Sequence, residues 1–198
     1  MFDRRSYIVK EHVGLLKLVD RYDIFDGESG ELLGTASEEI GIIRQLLRLV
    51  VNKQALPTSV IVREGAEGSG PAVLSIHRGF SFIRSKVSVN DGAGNYLGYF
   101  QSKILSIGGG FYVYDAEGKQ SAEVKGDWKS WNFRFLSADG RELGTVTRKW
   151  GGALKELFTS ADSYRIQLAP DVPTSGALAA LLLAAGLAVD IVLKETGN

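Results

Sequence analysis

The sequence predicts a mainly β protein (α+β), an antiparallel sheet closed or nearly closed into a barrel around a buried C-terminal helix. Three observations carry that expectation. The stretch Ser175–Leu193 (SGALAALLLAAGLAVDIVL) is apolar on every side, and a helix with no polar face must be enclosed by protein or lipid. Almost everything before it reads as short strands and turns. Among these, one hairpin pattern recurs four times, and closure is the arrangement that removes exposed strand edges.

Taken in order, Tyr7-Ile8-Val9 and Val13 to Val19 read as early strands. The first hairpin copy is Tyr22 to Gly30 followed by Leu33-Gly34, and the second is Val87 to Gly94 followed by Leu97-Gly98. The third is Tyr112 to Gly118 followed by Ser121-Ala122, and the fourth is Phe133 to Gly140 followed by Leu143-Gly144. In each, an aromatic or β-branched run forms one strand, and Asp, Asn and Gly then turn the chain. The turn glycines 30, 94, 118 and 140 are unevenly spaced, which argues against a propeller or solenoid.

Between the first two copies, Ser37 to Asn52 reads as a short amphipathic helix, opened by a serine cap and two acids. Val60–Glu64 and Ala72–His77 flank a Gly/Ser/Pro tip and form another hairpin. Gly144 to Trp150 continues a strand, and Tyr164-Ile166-Leu168 alternate with Arg165 and Gln167 as a half-buried last strand. Pro170 and Pro173 then break the sheet before the final helix at 175–193.

That helix is short for a membrane span, which needs about 20 apolar residues, because Asp190 interrupts it. Its alanines and glycines make it slim, which suits a narrow barrel interior. Leu178, Leu181, Leu182, Leu183, Leu187 and Ile191 are the expected buried residues.

Composition narrows the function classes. Lysine and arginine total 23 against 23 acids, so no global field attracts nucleic acid, which is not an expected partner. There is no cysteine, which excludes disulfides, thiolate metal sites, a cysteine nucleophile and palmitoylation. No secretory signal opens the chain, and a cytoplasmic location is expected. His12 and His77 belong to no acid–serine constellation, and Gly108-Gly109-Gly110 precedes a strand rather than the helix N-terminus that a phosphate cradle needs. No catalytic residue and no cofactor are expected.

With the hairpins and helix in place, the chain resembles the phospholipid scramblase and LURP-one-related family of the tubby-like superfamily. The residues that carry the resemblance are Arg78 to Phe82, Gly108 to Val113, Lys125 to Trp128 with Trp131 to Phe133, Thr147 to Trp150, and Phe158 to Tyr164 leading through Asp171 into the helix. The resemblance implies a twelve-stranded antiparallel barrel around a hydrophobic C-terminal helix, one domain over residues 1–198. It also implies lipid-related function, by phospholipid or phosphoinositide binding or by lipid movement, without enzymatic chemistry. The family's calcium loop corresponds to Ser160–Asp171 here. Only Asp162 and Asp171 supply carboxylates there, a poor set for an ion that takes six to eight oxygens.

One candidate ligand patch stands out. In Phe80 to Val87 the alternation places Phe80, Phe82, Arg84 and Lys86 on one face, with His77 and Arg78 just upstream. Aromatics beside cations suit anionic lipid headgroups at a membrane surface, which would place the protein at the inner face of the membrane. Read without the patch, the chain is a structural or protein-interaction barrel whose partner the sequence does not identify. Trp128, Trp131 and Trp150 are expected to pack across the barrel ends.

Overall fold

A computed structural model describes residues 3–12, 21–39, 57–65, 68–79, 86–103, 110–127, 130–148, 154 and 163–193, without the side chains of 190–193. Among the described residues, twelve strands precede one helix. They are β1 (Ser6–Glu11), β2 (Arg21–Asp26), β3 (Leu32–Glu38), β4 (Thr58–Glu64), β5 (Ala72–Arg78) and β6 (Lys86–Asp91). Next come β7 (Tyr96–Ser102), β8 (Gly110–Asp115), β9 (Gln120–Asp127), β10 (Asn132–Leu136), β11 (Glu142–Thr147) and β12 (Ser163–Leu168), and then α1 (Ala177–Leu193).

Each strand pairs antiparallel with its sequence neighbours, and β1 pairs with β12 to close the barrel. All four copies of the recurring pattern are hairpins: β2–β3, β6–β7, β8–β9 and β10–β11. Their turns share one construction. The N–H groups of Gly30, Gly94 and Gly118 donate to the carbonyls of Asp26, Asp91 and Asp115, and that of Gly140 donates to the carbonyl of Ser137. These glycines have φ between 75° and 88°, the left-handed region that side chains with a Cβ rarely adopt. A bulge beside each turn shifts the register by one residue, as between Val89 and Asn90.

Period-two alternation sends Ile24, Val89, Val113, Val124, Phe133 and Ile166 inward, where α1 meets them in one core. Leu181, Leu182, Leu183 and Leu187 of α1 are buried, and Leu178 is partly buried against the same core. The side chain of Ile191 lies outside the described residues. Slimness is literal here: a Cβ on Gly186 would stand 2.5 Å from Cδ1 of Ile166. No helix among the described residues is long and apolar enough to cross a membrane, and strands enclose α1.

Three boundaries differ from the sequence reading. Ser37 and Glu38, expected to open an amphipathic helix at 37–52, belong to β3, where they pair with Ile61 and Val60. A local capping pattern lost there to a cross-strand ladder; residues 40–52 lie outside the described set, as does the early strand expected at Val13 to Val19. The last helix starts at Ala177 rather than Ser175, with the carbonyl of Gly176 accepting its first hydrogen bond from Ala180 N–H. β11 begins at Glu142 and ends at Thr147, short of Trp150.

This topology puts the hairpin turns, together with the link from β12 to α1, at one end of the barrel. The connections β1–β2, β3–β4, β5–β6, β7–β8, β9–β10 and β11–β12 leave from the other end.

Candidate functional site

The outer face of β5 to β9 carries an ordered group of polar and aromatic side chains. Its geometry follows from register. Val87, Phe100 and Val113 face inward, so Lys86, Tyr99, Tyr112 and Tyr114 on the same strands face outward. Tyr99 of β7 pairs directly with Tyr114 of β8, and their rings stack at 4.6 Å with an 11° tilt. Tyr112 meets Tyr114 edge-on at 6.4 Å. Both ends of this aromatic row carry an ammonium: Lys86 Nζ lies 3.9 Å above the Tyr99 ring, and Lys103 Nζ lies 4.9 Å above the Tyr112 ring. Cations over ring faces are held by the ring quadrupole, which fixes two otherwise floppy lysines.

Glu123 of β9 organises the Lys103 end. Its carboxylate accepts from Lys103 Nζ and, at 3.2 Å, from Lys125 Nζ. Burial alone would raise the Glu123 pKa, but the hydrogen bonds and charges of the two lysines outweigh it and hold the carboxyl below its ordinary range. Two cations therefore share one anion, while Lys86 has no carboxylate partner among the described residues. The face is locally basic although the whole chain is neutral. Tyr96, 42 % exposed, stands at the turn end of the row, with its pKa raised by partial burial and by Tyr99.

The sequence-derived patch meets this face at two residues. Lys86 is exposed, as expected, and His77 is exposed on β5, where its carbonyl accepts the Ser88 hydroxyl at 3.2 Å. Arg78 does not share the face. One step along the strand from His77, it turns inward, is 5 % exposed, and donates from Nη2 to Thr58 Oγ1 at 3.2 Å. Phe80, Phe82 and Arg84 lie outside the described residues. In the sequence, the alternation Tyr112-Val113-Tyr114 signals a strand and nothing more. The alignment of these tyrosines with Tyr99 depends on the β7–β8 register, which sequence does not disclose.

The other candidates resolve differently. Asp171 is exposed and ion-paired with Arg141, and Asp162 lies outside the described residues. Among the described residues no group of three or more acids and histidines could hold a metal. Trp131 does pack across a barrel end: its ring meets Phe133 edge-on at 6.1 Å and Tyr164 at 5.4 Å, beneath the Arg148 guanidinium at 3.8 Å. Trp128 and Trp150 lie outside the described residues. Gly110, read as part of a turn or bulge, opens β8 with φ 144°.

Comparison with known proteins supplies the family. No curated protein matches the chain. The family model described as Scramblase matches residues 18–195, from before β2 to beyond α1. A match over that share of a closed barrel, with the apolar helix inside it, is decisive: the chain belongs to the Scramblase family.

Proposed function

We propose that this protein is a non-enzymatic, lipid-associated barrel that engages anionic phospholipid through the outer face of β5 to β9. The observation that carries the reading is the row from Lys86 through Tyr99, Tyr114 and Tyr112 to Lys103. Ammonium groups bind headgroup phosphates, while tyrosines suit the boundary between headgroups and acyl chains, where one end of the ring is wet and the other apolar. Family membership supports a lipid-related role, in binding or in lipid movement. His77 and Lys86 are the members of the sequence-derived patch that fit this face, and Arg84, Phe80 and Phe82 remain proposed members of it. The reading places the protein at the cytoplasmic surface of a membrane and requires no calcium, since Asp171 is engaged by Arg141.

Vesicle flotation tests it. Purified protein should float with vesicles containing phosphatidylglycerol or phosphatidylserine and remain behind with phosphatidylcholine alone. Lys86→Glu with Lys125→Glu should weaken that binding by about tenfold or more, because each basic residue near an anionic surface contributes about 1 kcal/mol. Added chelator should change nothing. Indifference of the wild-type protein to anionic lipid sinks the reading and leaves a barrel that acts through protein partners. The stacked tyrosines and exposed Tyr96 would suit that role equally in chemistry, as aromatic anchors at an interface.

A further inference from the structure

A second site lies further round the barrel, beyond β10. A groove of about 430 Å³ runs along the outside of β11 and β12 at the turn end, lined by Arg5, Glu142, Thr145, Gln167, Ala169 and Pro170 among others. That volume is in the range of small-molecule sites. Three features describe the charges around it. First, Arg5 is fixed in place: its Nη1 donates to the carbonyls of Ala169 at 2.6 Å and Val172 at 2.5 Å. The remaining edge of the guanidinium, Nε and Nη2, has no partner among the described residues. Second, Glu142 is exposed in the same groove, and its side chain likewise makes no ion pair or hydrogen bond among the described residues. Third, neighbouring charges do pair: Arg4 Nε with Asp26 at 2.8 Å, and Arg141 with Asp171. Arg5 and Glu142 thus line one groove as opposite charges with no ion pair between them.

We propose that this groove binds a small zwitterion, with its anionic group on the free edge of Arg5 and its ammonium on Glu142. A simple anion would meet repulsion from Glu142, and a simple cation would meet it from Arg5; a molecule carrying both on a short linker meets neither. Gln167 spends its Nε2 on the carbonyls of Arg5 at 3.3 Å and Leu168 at 3.4 Å, which leaves its amide oxygen to accept from an ammonium. Ala169 and Pro170 supply apolar wall for the linker. The chemistry could be met by a free molecule, such as an amino acid or phosphoethanolamine, or by a lipid headgroup of the same kind. β10 separates the groove from β9, the nearest strand of the lysine–tyrosine face, and the two sites share no residue.

The test is calorimetric titration of the full chain with phosphoethanolamine and with ethyl phosphate, which keeps the anion and lacks the ammonium. Wild-type protein should prefer phosphoethanolamine by about fivefold, as expected for one partly exposed charge pair. Glu142→Gln should erase that preference and leave the thermal midpoint unchanged. Glu142 is the informative position because replacing Arg5 also releases Ala169 and Val172. Absence of saturable phosphoethanolamine binding, or a preference that survives Glu142→Gln, overturns the proposal. Flotation with phosphatidylethanolamine vesicles then separates the sources: lipid capture that depends on Glu142 identifies a headgroup, and soluble binding without it identifies a free zwitterion.

Discussion

Glu123 shows how a single residue can both hold the lysine–tyrosine face and make it sensitive to acid. Its carboxyl is held below the ordinary range because Lys103 and Lys125 bond the charged form more strongly than burial opposes it. Asp26 behaves in the same way: burial raises its pKa, but N–H groups of Ser29 and Glu28 and the charge of Arg4 bring it below normal. A carboxyl whose folded pKa is depressed contributes stability that is fully present above its unfolded value, about 4, and is lost as pH falls through the lower folded value. The thermal midpoint should therefore be level from pH 7 to about 5 and fall below about pH 4. Glu123→Gln should flatten part of that fall; an unchanged acid slope would show that its ion pairs contribute nothing. At this scale the sequence was half legible. Alternation alone placed Lys86 outside, yet the same alternation turns Arg78 away from His77, and grouping residues by nearness along the chain concealed it. Ring stacking between Tyr99 and Tyr114 needs two strands in known register, so composition was silent about it.

Among the elements, α1 decides whether the barrel has a core. Its uniform apolarity announced enclosure, and its small residues announced a narrow enclosure; both are read directly from Ala177–Leu193. Leu182 is fully buried. Leu182→Ala should cost about 2–5 kcal/mol in chemical denaturation, and Leu182→Asp should prevent folding, since an unpaired buried charge rivals the whole stability of a domain. Gly186→Leu should also destabilise the protein, by about 1–3 kcal/mol or more, because Ile166 already occupies the space a side chain would need. Deleting 175–198 should abolish the cooperative transition; a folded remnant would mean that the strands can enclose themselves without a filler. The missed element boundary teaches the complementary lesson. Ser37-Glu38-Glu39 carries a convincing local signature for a helix start, but β4 offered Ser37 and Glu38 a ladder, and no window of local sequence contains β4.

On the scale of the whole molecule, β1 has a role that family matching does not capture. The matched range begins at residue 18, whereas β1 spans Ser6–Glu11 and is the strand that joins β12 to β2. Its Ile8 and Val9 are fully buried, so it is part of the wall rather than an ornament. Removing residues 1–12 should open the barrel along β2 and β12 and expose two unpaired edges, which invite pairing between chains. Light scattering should then report self-association; a monodisperse variant with an unchanged thermal midpoint would show that β1 is dispensable. The closed topology was legible from recurring hairpins and the need to remove edges. Which strands form the seam was not, because hairpin signals describe neighbours in sequence and the seam joins strands that are far apart in it.

That seam also sets a timetable. Ser6 faces Gln167, about 160 residues further along the chain, and α1 follows later still. At ribosomal speeds of about 5–20 residues per second, the first strand is made roughly 10–30 s before its second partner exists. During that interval the growing sheet has an open side and no filler, so hairpins can form one by one on the ribosome but the cylinder cannot. Closure waits for β12, and the acts of shutting the wall and packing its contents both fall after the other eleven strands have been made.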